Sequence, residues 1–354
     1  MKFTINKKFV LLAVIMGIIV GLGQYLITSS LLESFDRHES KEVEGKLLNV
    51  KEVVDGYIEK FSSLTLIISK VDTIFNFINE EKELSRNMLE TEFLSLCGAI
   101  KECMQLRYID KDGMEQVRID RFKLESIPYI TNTKNLQNKS DRYYFQDALS
   151  TKREEVYVSK FDLNVEYGEI QEPFTPTIRF STPIYNKNNN SIEGIVVMNI
   201  FAEFFFDKIK EIDEEYYFLD ENLYFMVHPF NSALEWGEQL PHGYRGGIES
   251  LESGNTLHEG HADEGNRQIH IAKNNNMVSD TFFGNNGIHN EPHDELKQAD
   301  TFIRIPYTTI GFDRYWIIGK NIPFSDYYKD YNDFLYQMFI LNGGVFMIFI
   351  AILY

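Results

Sequence analysis

The stretch Gln105–Arg121, QLRYIDKDGMEQVRIDR, decides the fold of the central part of this chain, because it alternates like the two strands of a β-hairpin. When Asp112 and Gly113 are the two central residues of a tight turn, counting outward places Arg107 directly opposite Arg118. Like charges that face each other on one side of a sheet repel. The sequence therefore predicts that a negatively charged group lies over this arginine pair.

Uncharged, strongly apolar segments occur at both ends of the chain. Phe9–Leu26 has 18 residues without a charge, and Phe334–Tyr354 has 21. Each is close to the roughly 20 helical residues that cross a hydrocarbon core. A cleaved signal peptide is the alternative for the first segment, but no small-x-small cleavage site follows it. We predict transmembrane helices at residues 9–30 and 334–354.

The distribution of charge predicts the orientation of the chain. Lys2, Lys7 and Lys8 precede the first span, which predicts a cytoplasmic N-terminus at residues 1–8 and an extracytoplasmic segment at residues 31–333. The expected location is the bacterial inner (plasma) membrane, with two passes. The outer segment carries a formal charge of -21, which argues against nucleic acid or anionic lipid as a partner.

Residues 31–80 are predicted to form a long stalk helix with a heptad repeat of apolar and aromatic residues. The repeat consists of Val43, Leu47, Val50, Val54, Tyr57, Phe61, Leu64, Ile68 and Val71. Such a stripe can pair with a second copy in a homodimer, or it can pack on its own domain. We favour a homodimeric contact below Tyr57, and packing on a sheet above it, where Leu66 and Ile67 widen the stripe.

The segment after the stalk predicts an α+β fold. A helix at 83–98 is followed by strand patterns at 104–110, 114–121, 155–161, 177–185 and 192–201, which fit one antiparallel sheet of five strands backed by helices. The segment Asn135–Lys152 reads as a loop and a short helix over one face of that sheet. A second series of strands, at 215–230, 267–273 and 300–323, surrounds a long loop at 243–295.

Several motifs in this order carry a family resemblance: QLRYID, KSDRYYF, VYVSKFDLNVEYGEIQEPFTPTIRFSTPIYN, GIVVMNI, FLDENLYFMVHP and WGEQL. Together they resemble the double Cache sensor domain of bacterial membrane receptors, closest to the sensor region of sensor histidine kinases. The resemblance implies two PAS-like modules, a membrane-distal one at 81–212 that binds a small molecule and a membrane-proximal one at 213–328. It also implies a cytoplasmic kinase, cyclase or chemoreceptor output beyond Tyr354, so we expect either the input half of a longer receptor or a truncated receptor.

Strand alternation predicts a polar face on the first sheet, opposite an apolar face that packs on helices. The polar set is Gln105, Arg107, Arg118, Tyr157, Ser159, Arg179, Ser181 and Asn199. Arginine binds carboxylates in a bidentate manner, so a small carboxylate ligand can bridge Arg107 and Arg118. The alternative is that acidic residues between Asp162 and Glu172 neutralise the arginines without a ligand.

The resemblance adds Arg142 and Tyr144 to this candidate ligand-binding set. In amino-acid-binding relatives, an arginine and an aromatic residue of this loop hold the ligand carboxylate, and an aspartate in the last strand holds the amine. Here Asn199 occupies the place of that aspartate, and Tyr144 occupies the place of a tryptophan. This departure favours a simple carboxylate over an amino acid.

The remaining residues that can carry chemistry predict no cofactor and no metal. His258, His261, His289 and His293 have ligand-like spacing, but glycine and proline interrupt the helix that would align them. Solvated loop histidines are the favoured interpretation. Cys97 and Cys103 leave a disulfide and a pair of buried thiols equally open.

The sequence thus predicts a non-catalytic receptor input unit that senses a small extracytoplasmic ligand. No nucleophile motif, phosphate-binding loop or nucleotide fingerprint is present in the sequence. Two alternatives stay open: a membrane-tethered binding or scaffold protein without output, and a metal-dependent extracytoplasmic enzyme that uses the histidine loops.

Overall fold

A computed structural model of the chain describes residues 7–80, 83–187, 189–222, 224–232, 235–240, 288–293, 298–307 and 314–353. The described helices are α1 (Lys7–Ile68), α2 (Asp72–Glu80), α3 (Glu83–Ala99), α4 (Tyr143–Leu149), α5 (Glu203–Lys210), α6 (Phe324–Tyr327) and α7 (Lys329–Leu353). A short 3-10 helix occupies Thr133–Asn135. The strand predicted at 267–273, together with His258 and His261, lies outside the described residues.

The first sheet consists of antiparallel strands in the spatial order β3-β2-β1-β9-β8-β4, with β5 paired to β8. Its strands are β1 (Cys103–Asp110), β2 (Glu115–Asp120), β3 (Tyr129–Ile130), β4 (Tyr157–Val158), β5 (Asp162–Leu163), β8 (Pro176–Tyr185) and β9 (Ile192–Phe201). Between β5 and β8, the strands β6 (Val165–Glu166) and β7 (Glu169–Ile170) pair only with each other among the described strands. The five strands predicted from the sequence correspond to β1, β2, β4, β8 and β9, so the predicted mixed fold with an antiparallel sheet is confirmed.

The register of the β1–β2 hairpin is as predicted around the arginines, but its turn is not. Arg107 lies opposite Arg118. However, the loop has three residues, because the amide of Gly113 donates to the carbonyl of Asp110 at 3.0 Å and Gly113 has a φ of +86°. A β-bulge at Gln116 adds one more residue to β2 and restores the predicted register. The two-residue turn is therefore wrong, and two irregularities compensate for each other.

The second sheet has the order β11-β10-β14-β13-β12. Its strands are β10 (Tyr217–Leu219), β11 (Phe225–Val227), β12 (Ile288–His293), β13 (Gln298–Pro306) and β14 (Tyr315–Pro323). The hairpin predicted at 215–230 and the closing strand pair are confirmed. The loop predicted at 243–295 is wrong at its end, because His289 and His293 lie in strand β12.

Backbone proximity divides the chain into two compact units. One comprises Met1–Lys46, Asn290–Thr301 and Asn321–Tyr354, and the other comprises Leu47–His289 and Phe302–Lys320. Within the first unit, the ring of Phe35 lies 5.6 Å from that of Tyr331, and Ser40 lies within 3.4 Å of the Tyr327 hydroxyl. The part of α1 around Phe35 and Ser40 therefore lies next to α6 and the beginning of α7.

The heptad stripe of α1 packs within its own chain. Leu47 and Val50 are fully buried and Val54 is 1% exposed. The prediction of a homodimeric contact at these positions is wrong, because one chain already covers the side chains. Above them, Phe61 packs on Phe180 of β8 at 5.5 Å, so the predicted contact with a sheet is confirmed.

A disulfide between Cys97 and Cys103 joins the end of α3 to the beginning of β1. The guanidinium of Arg121 donates to the carbonyl oxygens of Cys97 at 2.8 Å and Ile100 at 3.0 Å. These bonds satisfy carbonyl groups that the end of a helix leaves without partners. The disulfide and Arg121 together fix β1 relative to α3, and the first polar residue of β1, Gln105, lies two positions after Cys103.

Candidate functional site

The predicted polar residues form two neighbouring rows on one face of the first sheet. One row runs across β2, β1, β9 and β8 as Asp120, Gln105, Asn199 and Arg179. The next row runs across β2, β1, β9, β8 and β4 as Arg118, Arg107, Val197, Ser181 and Tyr157. We call the buried set of Gln105, Arg107, Arg118, Arg179 and Asn199 the arginine face. Sheet pairing thus brings together residues that are up to 94 positions apart in the sequence.

Glu115 bridges the two facing arginines. Its Oε1 accepts a hydrogen bond from Nη1 of Arg107 at 3.2 Å, and its Oε2 accepts one from Nη1 of Arg118 at 3.4 Å. The backbone amide of Gln137 also donates to Oε2, at 3.0 Å. The Glu115 side chain is fully buried. A carboxylate of the protein therefore occupies the position where the sequence predicts a negative group.

Arg118 has two further carboxylate partners. Its Nε donates to both carboxylate oxygens of Asp120 at 2.9 Å. Its two terminal nitrogens donate to the two oxygens of Glu166, each at 2.9 Å, in a bidentate pair. Lys139 lies 3.6 Å from Oε2 of Glu166. Every nitrogen of the Arg118 fork is thus paired with a carboxylate of the chain.

Arg179 is neutralised by Asp162, which also accepts a hydrogen bond from the Tyr143 hydroxyl at 2.6 Å. The ring of Tyr144 lies beneath two guanidinium groups. Its centroid is 5.0 Å from the guanidinium carbon of Arg179 and 5.5 Å from the guanidinium carbon of Arg107. Cation–π contacts of this kind stabilise partly desolvated cations. Helix α4, which carries both tyrosines, is therefore the cover of this part of the arginine face.

Asn199 and Gln105 connect the arginines across the sheet. Oδ1 of Asn199 accepts a hydrogen bond from Nη2 of Arg107 at 2.6 Å, and its Nδ2 donates to Oε1 of Gln105 at 2.8 Å. Nε2 of Gln105 then donates to Oε1 of Glu166 at 2.8 Å. The Asn199 side chain is thus engaged within the protein at both its oxygen and its nitrogen.

The other predicted site residues lie at the margin of this network. The hydroxyl of Tyr157 donates to Asp147 at 2.8 Å and lies 3.4 Å from Nη1 of Arg314. Ser159 uses its hydroxyl on backbone groups of the chain. Oγ of Ser181 is buried without a hydrogen-bond partner in the described part of the chain. Arg142 precedes α4 and makes no side-chain hydrogen bond or ion pair with the described residues.

Sequence reasoning missed several members of the network, and it left the acidic loop open as one of two alternatives. From that loop, Asp162 and Glu166 pair with arginines, while Glu169 and Glu172 are exposed. Glu115 and Lys139 were not predicted at all. A two-residue turn assigns Glu115 to the opposite face of the sheet, and Lys139 lies in a loop without periodicity. Neither residue has a periodic signal in the sequence that indicates this role.

Burial and the neighbouring charges shift the ionisation of this network. Burial by itself raises the pKa of Glu166, but Arg118 and Lys139 outweigh it and hold that pKa far below its usual range. Burial and the positive charge of Arg107 lower the pKa of Lys139 to about 8. Burial raises the pKa of Tyr143 well above its usual value, and the charge of Asp162 adds to the shift. Glu166 is therefore ionised at every physiological pH.

A groove with a volume of about 250 Å³ borders the arginine face on the side of β2 and β3. Its inner lining includes Gln105, Arg118 and Glu166, and its rim includes the exposed aromatic residues Tyr129 and Tyr167. Aromatic side chains offer large contact areas with little loss of conformational entropy. Because Arg118 and Glu166 line the groove, a small molecule in it would contact both residues directly.

The segment 159–166, which we call the strap, contacts the first sheet and the second sheet at once. Asp162 and Glu166 bind arginines of the first sheet. On its other side, Lys160 forms an ion pair with Glu238 at 2.9 Å, and the amide of Leu163 donates to Oε1 of Gln239 at 2.8 Å. The ring of Phe161 lies 4.5 Å from that of Trp316 on β14. A displacement of the strap would therefore act on both sheets.

No group of three or more histidine, cysteine, aspartate or glutamate side chains in the described part of the chain has the arrangement of a metal site. The histidine loops that the enzyme alternative requires lie partly outside those residues. Helix α1 is long and apolar enough to cross a membrane, within Gly17–Ile68, and it is the one such helix among the described residues.

Comparison with protein families assigns the chain. The model of the family described as bacterial histidine kinase, sensor domain, matches residues 50–231, which is just over half of the chain. The chain belongs to this family. It is a family of sensor domains rather than of catalytic domains, and the resemblance found in the sequence is confirmed.

Solved structures share the fold over most of the chain. The extracellular domain of a protein described as a histidine kinase, vpHK1S-Z8, has a TM-score of 0.64 at 17% identity, covering 84% of this chain and 96% of its own. A domain of a sensory box/GGDEF family protein from Vibrio parahaemolyticus has the same score and identity, with 82% and 98% covered. The ligand-binding domain of the Campylobacter jejuni chemoreceptor Tlp3, in complex with L-norvaline, has a TM-score of 0.53 at 12% identity, with 81% and 92% covered. Among curated proteins, none matches the chain significantly.

Proposed function

We propose that the chain is the extracytoplasmic ligand-sensing region of a transmembrane signalling receptor of the bacterial plasma membrane. Residues 9–30 and 334–354 cross the membrane, and residues 31–333 lie outside. The family of sensor domains, the apolar segment of helix α1 and the three lysines that precede this segment support this arrangement. Helix α7 has 25 residues and contains the second apolar segment. A histidine kinase output fits the family best, and a cyclase or a chemoreceptor output is the alternative.

The outer part consists of two Cache modules in this proposal. Residues 81–212 carry the first sheet and form the membrane-distal, ligand-binding module, while residues 213–328 form the membrane-proximal module. The proximity of α1 and α7 in one compact unit supports a membrane-proximal position for the ends of the chain. A homodimer remains part of the proposal, but it has to use surfaces other than the buried stripe of α1.

The proposed ligand is a small molecule with a carboxylate group, bound at the arginine face. The observation that carries this proposal is that Arg118, a buried cation with a rigid fork of donors, borders an open groove. Unlike Arg118, three residues outside the groove lining have polar atoms that are buried without partners in the described part of the chain, namely Nε of Arg107, Nε of Arg179 and Oγ of Ser181. Unpaired buried donors are costly, so a ligand that reaches them stabilises the folded protein. Tyr144, Tyr157, Ser159, Asn199 and Arg142 would complete the site.

The strap is the proposed route of the signal. A ligand at Arg118 changes the position of Glu166, and Phe161 passes the displacement to the second sheet through Trp316. Lys160 and Leu163 pass it to Glu238 and Gln239, in the segment that follows β11. A ligand can shift such an equilibrium only by its difference in affinity for the two states. In this proposal the contacts of the strap differ between the ligand-free and the ligand-bound state, and this makes the affinity for the ligand different in the two states.

Thermal melting of the chain in lipid nanodiscs, with a panel of small carboxylates at constant ionic strength, tests the proposal. A ligand at a hundred times its dissociation constant adds about 2.7 kcal/mol to the free energy of unfolding, so at least one carboxylate should raise the melting temperature. Arg118→Ala should abolish this rise, whereas Arg153→Ala, which removes an exposed arginine that does not line the groove, should retain it. A panel without any effect on the wild-type protein would refute a carboxylate ligand.

A further inference from the structure

The charges of the arginine face are already balanced by the protein. Arg107, Arg118, Lys139 and Arg179 are the four cations of the network, and Glu115, Asp120, Asp162 and Glu166 are the four carboxylates that pair with them. A further anion in a buried, neutral cluster would carry an uncompensated charge, which is costly. An anionic ligand must therefore replace one of the resident carboxylates.

Glu166 is the resident carboxylate that a ligand can replace. The side chain of Glu115 is fully buried and that of Asp162 is 6% exposed, whereas that of Glu166 is 16% exposed and lines the groove. Asp120 is held by the Thr131 hydroxyl in addition to Arg118. Asp120 also lines the groove, and its side chain is 11% exposed, so Glu166 is the most exposed of the four carboxylates.

The surroundings of the Glu166 carboxylate form a complete carboxylate receptor. Oε1 accepts hydrogen bonds from Gln105 at 2.8 Å, Arg118 at 2.9 Å and Asn164 at 3.0 Å. Oε2 accepts them from Arg118 at 2.9 Å and Gln137 at 2.7 Å, with Lys139 at 3.6 Å. Except for Asn164, these donors belong to β1, β2 and the loop before α4. They would stay in place if Glu166 moved away.

The segment that carries Glu166 is built as a small surface flap. The strands β6 and β7 form a two-residue hairpin whose turn residues Tyr167 and Gly168 have φ values of +55° and +86°. The hairpin pairs with no other described strand, and Tyr167 is 69% exposed. Short hairpins without a neighbouring strand are marginal in water, so the flap depends on its contacts with the surrounding protein. These include the charge pair at Glu166 and the amide of Tyr167, which donates to Oε1 of Gln137 at 2.9 Å.

We infer that Glu166 is a built-in competitor of the ligand: its carboxylate occupies the ligand's binding position on Arg118, Gln105, Gln137 and Lys139, and a ligand carboxylate displaces it and opens the β6–β7 flap. The inference rests on the proposed function and adds how the site is regulated. Because the flap continues directly into the strap, its opening is the first movement of the signal. Without a ligand, Glu166 keeps the β6–β7 flap closed over the binding position.

Acetate is the probe for this inference, and its affinity is measured by isothermal titration of the full chain in nanodiscs, at constant ionic strength with chloride. Glu166→Gln keeps the size of the side chain and removes its charge, so the competitor is weakened and the cluster gains an excess of positive charge. We expect acetate to bind Glu166→Gln at least about tenfold more tightly than wild type, since hydrogen bonds of ionised groups are about twice as strong as neutral ones. The matched control is Glu169→Gln, an exposed glutamate of the same hairpin, which should bind acetate like wild type.

A second variant keeps the test decisive if Glu166→Gln does not fold. Gly168 has a φ of +86° and open space around a Cβ atom, so Gly168→Ala strains the closed flap without touching the receptor. Its affinity for acetate should rise about fivefold. Equal affinity in wild type, Glu166→Gln and Gly168→Ala would overturn the inference and leave a ligand site elsewhere in the module. Absence of acetate binding in every folded variant, together with a panel of carboxylates that has no effect on wild type, would refute the proposed ligand class as well.

Discussion

Arg107 and Arg118 lie directly opposite each other on β1 and β2, and one buried carboxylate, that of Glu115, accepts a hydrogen bond from each. Two cations that would repel at the distance of a cross-strand pair are thereby joined into a single network. The pairing is internal to one hairpin, because Glu115 belongs to β2. Asp120, also on β2, pairs with Arg118 and supplies the second carboxylate, so the hairpin balances the charge of its two arginines without a ligand.

The first prediction concerns this bridge. Glu115→Gln removes the charge between two buried guanidinium groups, and removing one partner of a buried ion pair costs about 3–5 kcal/mol. We expect the free energy of unfolding to fall by that amount, measured by urea unfolding followed by fluorescence. Glu169→Gln, which removes an exposed glutamate, should change it by less than about 0.5 kcal/mol. Equal stability of the two variants would show that Glu115 does not bridge the arginines.

The arginine register was predictable, but the position of Glu115 was not, and the reason is local. With a two-residue turn, alternation directs Gln116 toward the arginine face and Glu115 away from it. The three-residue loop and the bulge reverse this assignment: Gln116 instead binds Asp110 and Arg86 on the opposite side. A bulge leaves no periodic signal in a six-residue strand. The alternation of the longer strand β8, by contrast, correctly predicted that Arg179 and Ser181 share a face, and Asn199 of β9 lies on the same face as predicted.

The stalk illustrates a second limit of the sequence. A heptad stripe predicts that one side of α1 is covered, and Leu47, Val50 and Val54 are indeed buried. It does not identify the cover, because a partner helix and the chain's own domain require the same spacing of apolar residues. The prediction of a homodimeric contact assumed that the part of α1 before Tyr57 lies too far from its own domain to pack on it. The burial of these side chains within one chain contradicts that assumption.

The second prediction tests this burial. Val50→Asp places an uncompensated charge in a buried position, so we expect the outer part of the chain to lose more than about 3 kcal/mol of stability. The neighbouring Asn49 is exposed, so Asn49→Asp adds the same charge without this cost. Thermal melting of both variants is the measurement. A single cysteine at position 50 should also give no crosslink between subunits. Efficient crosslinking there would show that the stripe of α1 makes the homodimeric contact after all.

The third prediction concerns the contact of the strap with the second sheet. Phe161 is 2% exposed, and its ring lies 4.5 Å from that of Trp316 and 5.2 Å from that of Phe206. Phe161→Ala should lower the free energy of unfolding by about 3–5 kcal/mol. It should also change the emission of Trp316, because the indole loses one of its aromatic neighbours while Tyr307 stays stacked on it at 4.0 Å.

The control for this variant is Phe174→Ala, since Phe174 is 40% exposed. It should leave both the stability and the tryptophan emission close to those of the wild-type protein. If Phe161→Ala behaves like Phe174→Ala, the strap does not pack against the second sheet, and the proposed route of the signal loses its apolar contact.

The last prediction is a dependence of stability on pH that originates in the second sheet. Burial raises the pKa of Asp220 to about 7, and the nearby carboxylates of Glu238 and Glu221 add to the shift, although the amides of Asn222 and Tyr224 donate to its Oδ1 at 2.9 Å. Between its unfolded pKa, about 4, and about 7, the folded protein binds a proton that the unfolded chain has released. The stabilisation from this proton is therefore complete below pH 4 and is lost as the pH rises to 7, with a slope of at most about 1.4 kcal/mol per pH unit.

Asp220→Asn keeps the oxygen that accepts both amides and removes the titration, so the difference in stability between variant and wild type should increase from pH 4 to pH 7 in favour of the variant. Asp141→Asn, which removes an exposed carboxylate, is the matched control for the loss of one charge. Urea unfolding at pH 4, 5.5, 7 and 8 measures this difference, and a difference that stays constant over that range would show that Asp220 does not titrate as a buried group.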